Sequence, residues 1–219
     1  IRHEDAVRHA EALFGGLSNA GPGAEEPASY TGGVRSSPRK FEQAHLVLGF
    51  EAPSYREDEF FAAQVLSGLL GGGMSSRLFQ EVRERRGLCY AIYSSAWGLK
   101  DTGLFAVHAA TGAGMVGELI NVVSDELDRM ADAGPKDAEV ARAKAQLKAG
   151  LMMSLESSSA RAEQMARQML LHGRVLLTSD ILAAVDRVTA AEVTNVAQRL
   201  RRKDVSVAVV GAGRKSDDL

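Results

Sequence analysis

Residues 75–110 read SSRLFQEVRERRGLCYAIYSSAWGLKDTGLFAVHAA, and the parsing of this stretch decides the fold. Leu78, Phe79 and Val82 recur at helical spacing, which predicts a short helix from Ser76, a candidate N-cap, to Arg86. Gly87 is the expected left-handed stop. Beyond it, Tyr90 to Leu99 and Gly103 to Ala110 have the length and composition of strands, with Lys100-Asp101-Thr102 as a hairpin between them. A helix feeding an antiparallel pair is unlike a doubly wound parallel sheet, where strands and helices alternate singly.

Working outward, His45 to Phe50 (HLVLGF) predicts a buried strand ended by Ala52-Pro53-Ser54. Residues 57–70 carry Phe60, Phe61, Val65, Leu66 and Leu69 on one helical stripe. Helices are expected at 115–132, 136–158, 160–172, 179–187 and 190–201, the last opened by a Thr189/Glu192 capping box, and VSVAVV at 205–210 closes the chain's pattern as a strand. Toward the N-terminus a helix runs from about Asp5 to Phe14, and a Gly/Pro/Ser-rich connector follows with a short edge strand at Tyr30 to Val34. The expected fold class is α+β: an antiparallel or mixed sheet with helices over one face. The expected organisation is one domain, with an incoming helix at 1–17, an extended connector at 18–40 and an α+β core at 41–219. A start at Ile1 rather than Met reads as a piece of a longer protein.

Composition narrows the function classes. With 26 Lys and Arg against 28 Asp and Glu, interleaved rather than blocked, the chain offers no basic field for nucleic acid. One cysteine, Cys89, excludes an internal disulfide, and no apolar run reaches the roughly 18–20 residues of a membrane helix. His3, His9, His45, His108 and His172 are scattered, with neither H-E-x-x-H nor H-x-x-E-H, so no hydrolytic metal centre is expected among these residues.

Three other motifs invite a chemical reading. Gly112-Ala113-Gly114-Met115-Val116-Gly117 is a formal G-x-G-x-x-G after a strand, but no second parallel strand ending in an acid follows it. It reads as a loose strand-to-helix turn rather than a dinucleotide site. Gly71, Gly72 and Gly73 lack the Gly-Lys-Ser/Thr of a phosphate loop and read as a helix-to-helix linker, or as bare backbone against which an extended peptide could lie. Glu156-Ser157-Ser158-Ser159 is a helix break and no nucleophile elbow.

Arg77, Arg83, Arg85 and Arg86 read first as solvated charge. Arg83 and Tyr90 are the exception by position: a helix end folded over the strand it feeds would bring a guanidinium and a phenol to one surface, both donors suited to peptide carbonyls or a developing oxyanion.

The blocks LLGGGMSSRLFQEVRERRGLCYAIYSSAWGLKDTGLFAVHAATG (69–112), HEDAVRHAEALFGGL (3–17), FEQAHLVLGFEAP (41–53), LKAGLMMSLESSSARAEQMARQMLLHGR (147–174) and VTAAEVTNVAQRL (188–200) resemble the C-terminal, non-zinc-binding half of insulinase/pitrilysin-type zinc peptidases of the processing-peptidase subfamily. The resemblance implies a protein of two similar α+β halves closing like a clam shell on an extended polypeptide. It places zinc, on an inverted H-x-x-E-H, in the N-terminal half, and implies no cofactor here. It assigns Arg83 and Tyr90, an R-x6-Y pair, to substrate binding near the scissile carbonyl. Gly71 to Gly73 fall where α-type relatives carry a longer glycine-rich substrate loop. The implied partners are an N-terminal catalytic half or a homologous subunit, a peptide substrate, and, as an open alternative, a second copy in a homodimer. The implied compartment is the cytoplasm, with periplasm and mitochondrial matrix as alternatives. The competing function is a catalytically inactive core subunit of the same fold.

Overall fold

The structure is a computed structural model that describes residues 2–18, 21, 26–201 and 204–211. Parts of the expected connector and the end of the expected core lie outside them.

Five strands form one mixed sheet: β1 (Gly33–Ser37), β2 (Ala44–Ala52), β3 (Cys89–Gly98), β4 (Gly103–Thr111) and β5 (Ser206–Val210), in the order β1-β5-β2-β4-β3. Pairing is antiparallel throughout except for β1 with β5. The expected hairpin is present, with Trp97 opposite Leu104 and Tyr93 opposite His108. The expected edge strand is displaced from 30–34 to Gly33–Ser37, because pairing with β5 begins at Gly33 opposite Ser206.

Period-two alternation divides every strand between two faces. One face carries Leu46, Leu48, Phe50, Phe105, Val107 and Val209, all buried. Three helices pack over it: α2 (Phe60–Gly71) against β3, and α3 (Val116–Ala133) with α7 (Ala190–Arg201) near β2. Behind α2 lie α4 (Asp137–Ser154) and α6 (Thr178–Arg187). The expected helix at 136–158 ends at Ser154, and Ser157 accepts from the Ala160 amide at 3.3 Å to start α5 (Ser158–His172). The Thr189/Glu192 capping box opens α7, with both reciprocal bonds made. At the N-terminus α1 (His3–Phe14) buries none of its residues.

Among the described residues, no helix packs on the other face of the sheet. Tyr93, Trp97, His108, Ala91, Ala110 and His45 stand on it, and the connector crosses part of it as a strap. The Ala28 amide donates to the Asp101 carboxylate at 2.7 Å, and the Tyr30 hydroxyl donates to the Gly49 carbonyl at 2.7 Å and lies 2.8 Å from Ser206 Oγ. A row of small residues, Ser95, Ala106, Gly49 and Ser206, leaves room for that phenol.

The glycine-rich turn Gly112–Gly117 is a short 3₁₀ turn, Ala113–Met115, leading into α3. β4, which precedes it, pairs antiparallel with both of its neighbours, so the parallel unit that a dinucleotide fold requires is not built around this turn.

Candidate functional site

The helix predicted over 76–86 is a π-helix over Phe79–Arg85. Its wider turn continues into the stop: the Gly87 amide donates to the Arg83 carbonyl at 3.1 Å, and the Leu88 amide reaches back to Val82 at 3.0 Å. Gly87 has φ +63°, a conformation that a side chain disfavours, and this single residue turns the chain from helix into β3. Ser76 does not cap the helix. Its hydroxyl is buried with no hydrogen-bond partner among the described residues.

Two anchors fix the corner from below. Thr111 Oγ1 donates to the Leu88 carbonyl, and Val82 is fully buried in the core. The register of β3 on β4 shifts between Cys89 and Ala91, so Tyr90 sits at a bulge, 68% exposed, at the head of the strand. Bulges re-aim a side chain away from regular alternation, and such irregularities recur at functional sites.

The four arginines separate into two groups. Arg77 is no solvated charge: its guanidinium makes a two-pronged bond to Glu139, 2.8 Å on each prong, and reaches the Gly134 carbonyl at 3.2 Å. The Arg77 bond holds the Glu139 carboxyl down at about 2. Arg85 and Arg86 both pair with Glu81. Arg77, Glu81, Arg85 and Glu139, with Glu126 and Arg129, line a charged cavity of about 470 Å³ on one flank of the π-helix, where most charges have partners. Burial pushes the Glu126 carboxyl up, against the pull of Arg129.

Arg83 differs. Of the four, it alone has no ion pair among the described residues; its guanidinium lies over the Phe79 ring, 4.7 Å from the centroid. Burial pushes the Cys89 thiol up, and the Arg83 charge acts on it in the opposite direction, which places Arg83 beside the residue preceding Tyr90. No hydrogen bond joins Arg83 to Tyr90. Among the described residues, the Tyr90 hydroxyl and the Arg83 guanidinium, on either side of Gly87, each have donor capacity that no hydrogen bond or ion pair uses.

Gly71, Gly72 and Gly73 occupy the end of α2 rather than a free loop. A Cβ at Gly71 would lie 2.2 Å from the Ser94 amide nitrogen, so glycine is what lets α2 close on β3. Gln146 Nε2 of α4 donates to the Gly72 carbonyl, while Gly73 is exposed. Further stitches that have no local sequence signal are Ser94 Oγ to the Ser67 carbonyl at 2.8 Å and Gln64 Nε2 to the Ala96 carbonyl at 2.6 Å.

Among the described residues, no group of three or more His, Cys, Asp or Glu is gathered so as to hold a metal ion, so zinc does not fit on these residues. Nor, among them, is any helix long and apolar enough to cross a membrane.

A family model described as "Peptidase M16 inactive domain" matches residues 1–147. The chain is 37% identical over 220 residues to an uncharacterized zinc protease of Streptomyces coelicolor, covering 96% of this chain and 48% of that protein. It is 32% identical over 217 residues to an uncharacterized zinc protease of Rickettsia bellii, covering 99% and 52%. The chain thus spans about half the length of these curated relatives. Among solved structures, the peptidase M16 inactive domain from Pseudomonas fluorescens superposes with a TM-score of 0.77 at 24% identity, over 96% of this chain and 52% of that one. A chain of complex III2 from Candida albicans superposes at 0.86 with 20% identity, over 97% and 53%. These structural likenesses, below 25% identity, concern the fold.

Proposed function

The chain belongs to the M16 peptidase family, as the domain that the family describes as inactive, and from that premise we propose that it is the peptide-binding half of a zinc-dependent endopeptidase. The observation that carries the reading is the corner at Gly87, where Arg83 and Tyr90 keep unpaired donors in a region whose other arginines are committed to carboxylates. Arg83 and Tyr90 hold a backbone carbonyl of an extended peptide and follow its oxygen as negative charge grows there, which is where fixed donors lower a barrier. Gly73, exposed just before this segment, lets the peptide backbone pass without obstruction.

In this reading the zinc, the H-x-x-E-H residues and the water they activate belong to a companion half, covalently continuous or a homologous subunit. The present residues supply binding and orientation. The relatives named as zinc proteases, about twice this chain's length, support that division of labour. A second copy of the chain is the alternative partner.

In the full-length protein, Arg83→Ala or Tyr90→Phe lowers kcat/KM for peptide hydrolysis by roughly tenfold or more, with the fold intact by circular dichroism. The competing reading is a catalytically silent scaffold of the same fold, and it has support in the superposition on a complex III2 chain. Unchanged peptidase kinetics in both variants would exclude the peptide-binding role and favour the scaffold.

A further inference from the structure

The charged cavity on one flank of the π-helix is built in two layers. Its floor holds carboxylates that already have cations: Glu139 takes both prongs of Arg77, Glu81 takes Arg85 and Arg86, and Glu126, almost fully buried, takes Arg129 at 2.7 Å. Carboxylates so occupied have little left for a cationic guest. The rim differs. Arg85 of the π-helix, Arg129 of α3, and Lys136 and Arg142 at the start of α4 line it with exposed side chains. Among the described residues, Arg142 donates to the Ser75 carbonyl at 3.3 Å but makes no ion pair, and the Lys136 ammonium has none either. The groups form one cluster, since the charges of Arg77, Arg85 and Glu81 act on Glu126 and that of Arg142 acts on Glu139. Over the whole lining, five cations face three carboxylates, an excess of two positive charges.

We propose that this cavity binds the phosphate group of a small phosphorylated molecule, held at the rim between the π-helix, α3 and the start of α4. The inference is independent of the peptide-binding reading. A phosphate monoester carries about −1.5 to −2 charge at neutral pH, which matches the excess that the floor leaves uncompensated. Its three terminal oxygens accept donors from several sides at once, whereas a planar carboxylate is filled by one guanidinium fork. The rim offers such forks from three directions. Lys136 and Arg142 are the first contacts, because no carboxylate competes for them. Arg85 and Arg129 pair with acids through largely exposed side chains, and exposed pairs of that kind are weak enough to share a guanidinium with a guest. The acids of the floor keep the anion from sinking past the rim. At about 30 Å³ per water, the cavity's volume corresponds to on the order of fifteen waters, so an organic body fits beside the phosphate.

The test is titration calorimetry on the full-length protein with inorganic phosphate, adenosine monophosphate and, as the carboxylate control, succinate, in about 0.15 M NaCl so that diffuse surface attraction is screened. One phosphate-bearing ligand per chain binds saturably, and succinate binds at least tenfold more weakly. Tighter binding of the nucleotide than of the free ion shows that the organic body uses the rest of the cavity; equal binding shows that the phosphate alone is read. Arg142→Gln and Lys136→Gln, at exposed positions that leave the ion pairs of the floor in place, each raise Kd about fivefold or more, and the double variant abolishes binding. Arg174→Gln, at an exposed arginine outside the cavity, changes nothing. The proposal is overturned if neither phosphate ligand binds up to about 10 mM, if succinate binds as well as they do, or if Arg174→Gln weakens binding as much as Arg142→Gln. None of these results bears on the kinetics of the Arg83 and Tyr90 variants, so the two readings stand or fall separately.

Discussion

The two faces of the sheet are made by the same strands in the same register, yet they do different work. On the covered face, alternate residues of β2 and β4 (Leu46, Leu48, Phe105, Val107) are sealed under α2, α3 and α7. On the open face their neighbours, Val47 and Leu104 apart, are small or polar, and Tyr93 at 52% and Trp97 at 40% exposure stand in solvent. A side chain that stabilises the fold has given its surface to the core; one that binds a guest must keep its surface available. One residue's shift along a strand separates the two roles.

The largest expected effect lies on the covered face. Phe105 is fully buried, and Phe105→Ala removes its contacts and leaves a cavity, so denaturant unfolding should show a loss of about 3–5 kcal/mol. Trp97→Ala, one strand position from Ala96, which lies opposite Phe105, and therefore on the open face, should cost about 1 kcal/mol or less. Equal losses at the two positions would mean that the open face is sealed in solution, and the division between the faces would fail.

Most of the covered face was legible in the sequence, because alternation and helical stripes are local patterns. The hairpin between Gly98 and Gly103 and the α2 stripe of Val65, Leu66 and Leu69 follow from periodicity alone. What was not legible depends on distant parts of the chain. Arg77 and Glu139 are 62 positions apart, so no spacing rule separates Arg77 from its solvated neighbours. Gly71 reads as part of a flexible triplet, and only the approach of Ser94 makes it a packing residue. The π-helix is hidden because Leu78, Phe79 and Val82 suit a wide turn as well as a normal one. Ser76 fails as a cap: its hydroxyl is buried and, among the described residues, has no hydrogen-bond partner. At the candidate site, Arg83 and Tyr90 were recognisable by their resemblance to a family pattern. Their solitude, and the Tyr93–His108 stack on the open face, required the cross-strand register.

An intermediate effect is expected where the arginine-rich segment meets the helical layer. Glu139→Gln removes the charged partner of a half-buried Arg77 and should cost about 2–3 kcal/mol at neutral pH. The Glu139 carboxyl is held at about 2, below its ordinary 4.5, so its contribution is fully present above about 4.5 and is lost as pH falls toward 2. The wild-type and Glu139→Gln stabilities should therefore converge across that window. A gap that stays constant from pH 6 to pH 3 would show that the ion pair does not set the difference.

The smallest expected effect on stability is at Arg83, and its smallness is what the functional reading requires. Arg83 and Tyr90 stand on the two sides of Gly87, and the backbone bonds at that corner involve the Arg83 carbonyl, which any side chain at this position retains. Among the described residues, the guanidinium's own contact is with the Phe79 ring, and such exposed contacts contribute about 0.5–1 kcal/mol. Arg83→Ala should therefore lower unfolding free energy by no more than that, while Arg77→Ala, which strands Glu139, costs several times as much. The same unfolding measurement on both variants makes the comparison. A loss at Arg83 equal to that at Arg77 would mean that its charge is already committed within the fold, and the donor pair at the corner would have nothing left to offer a peptide.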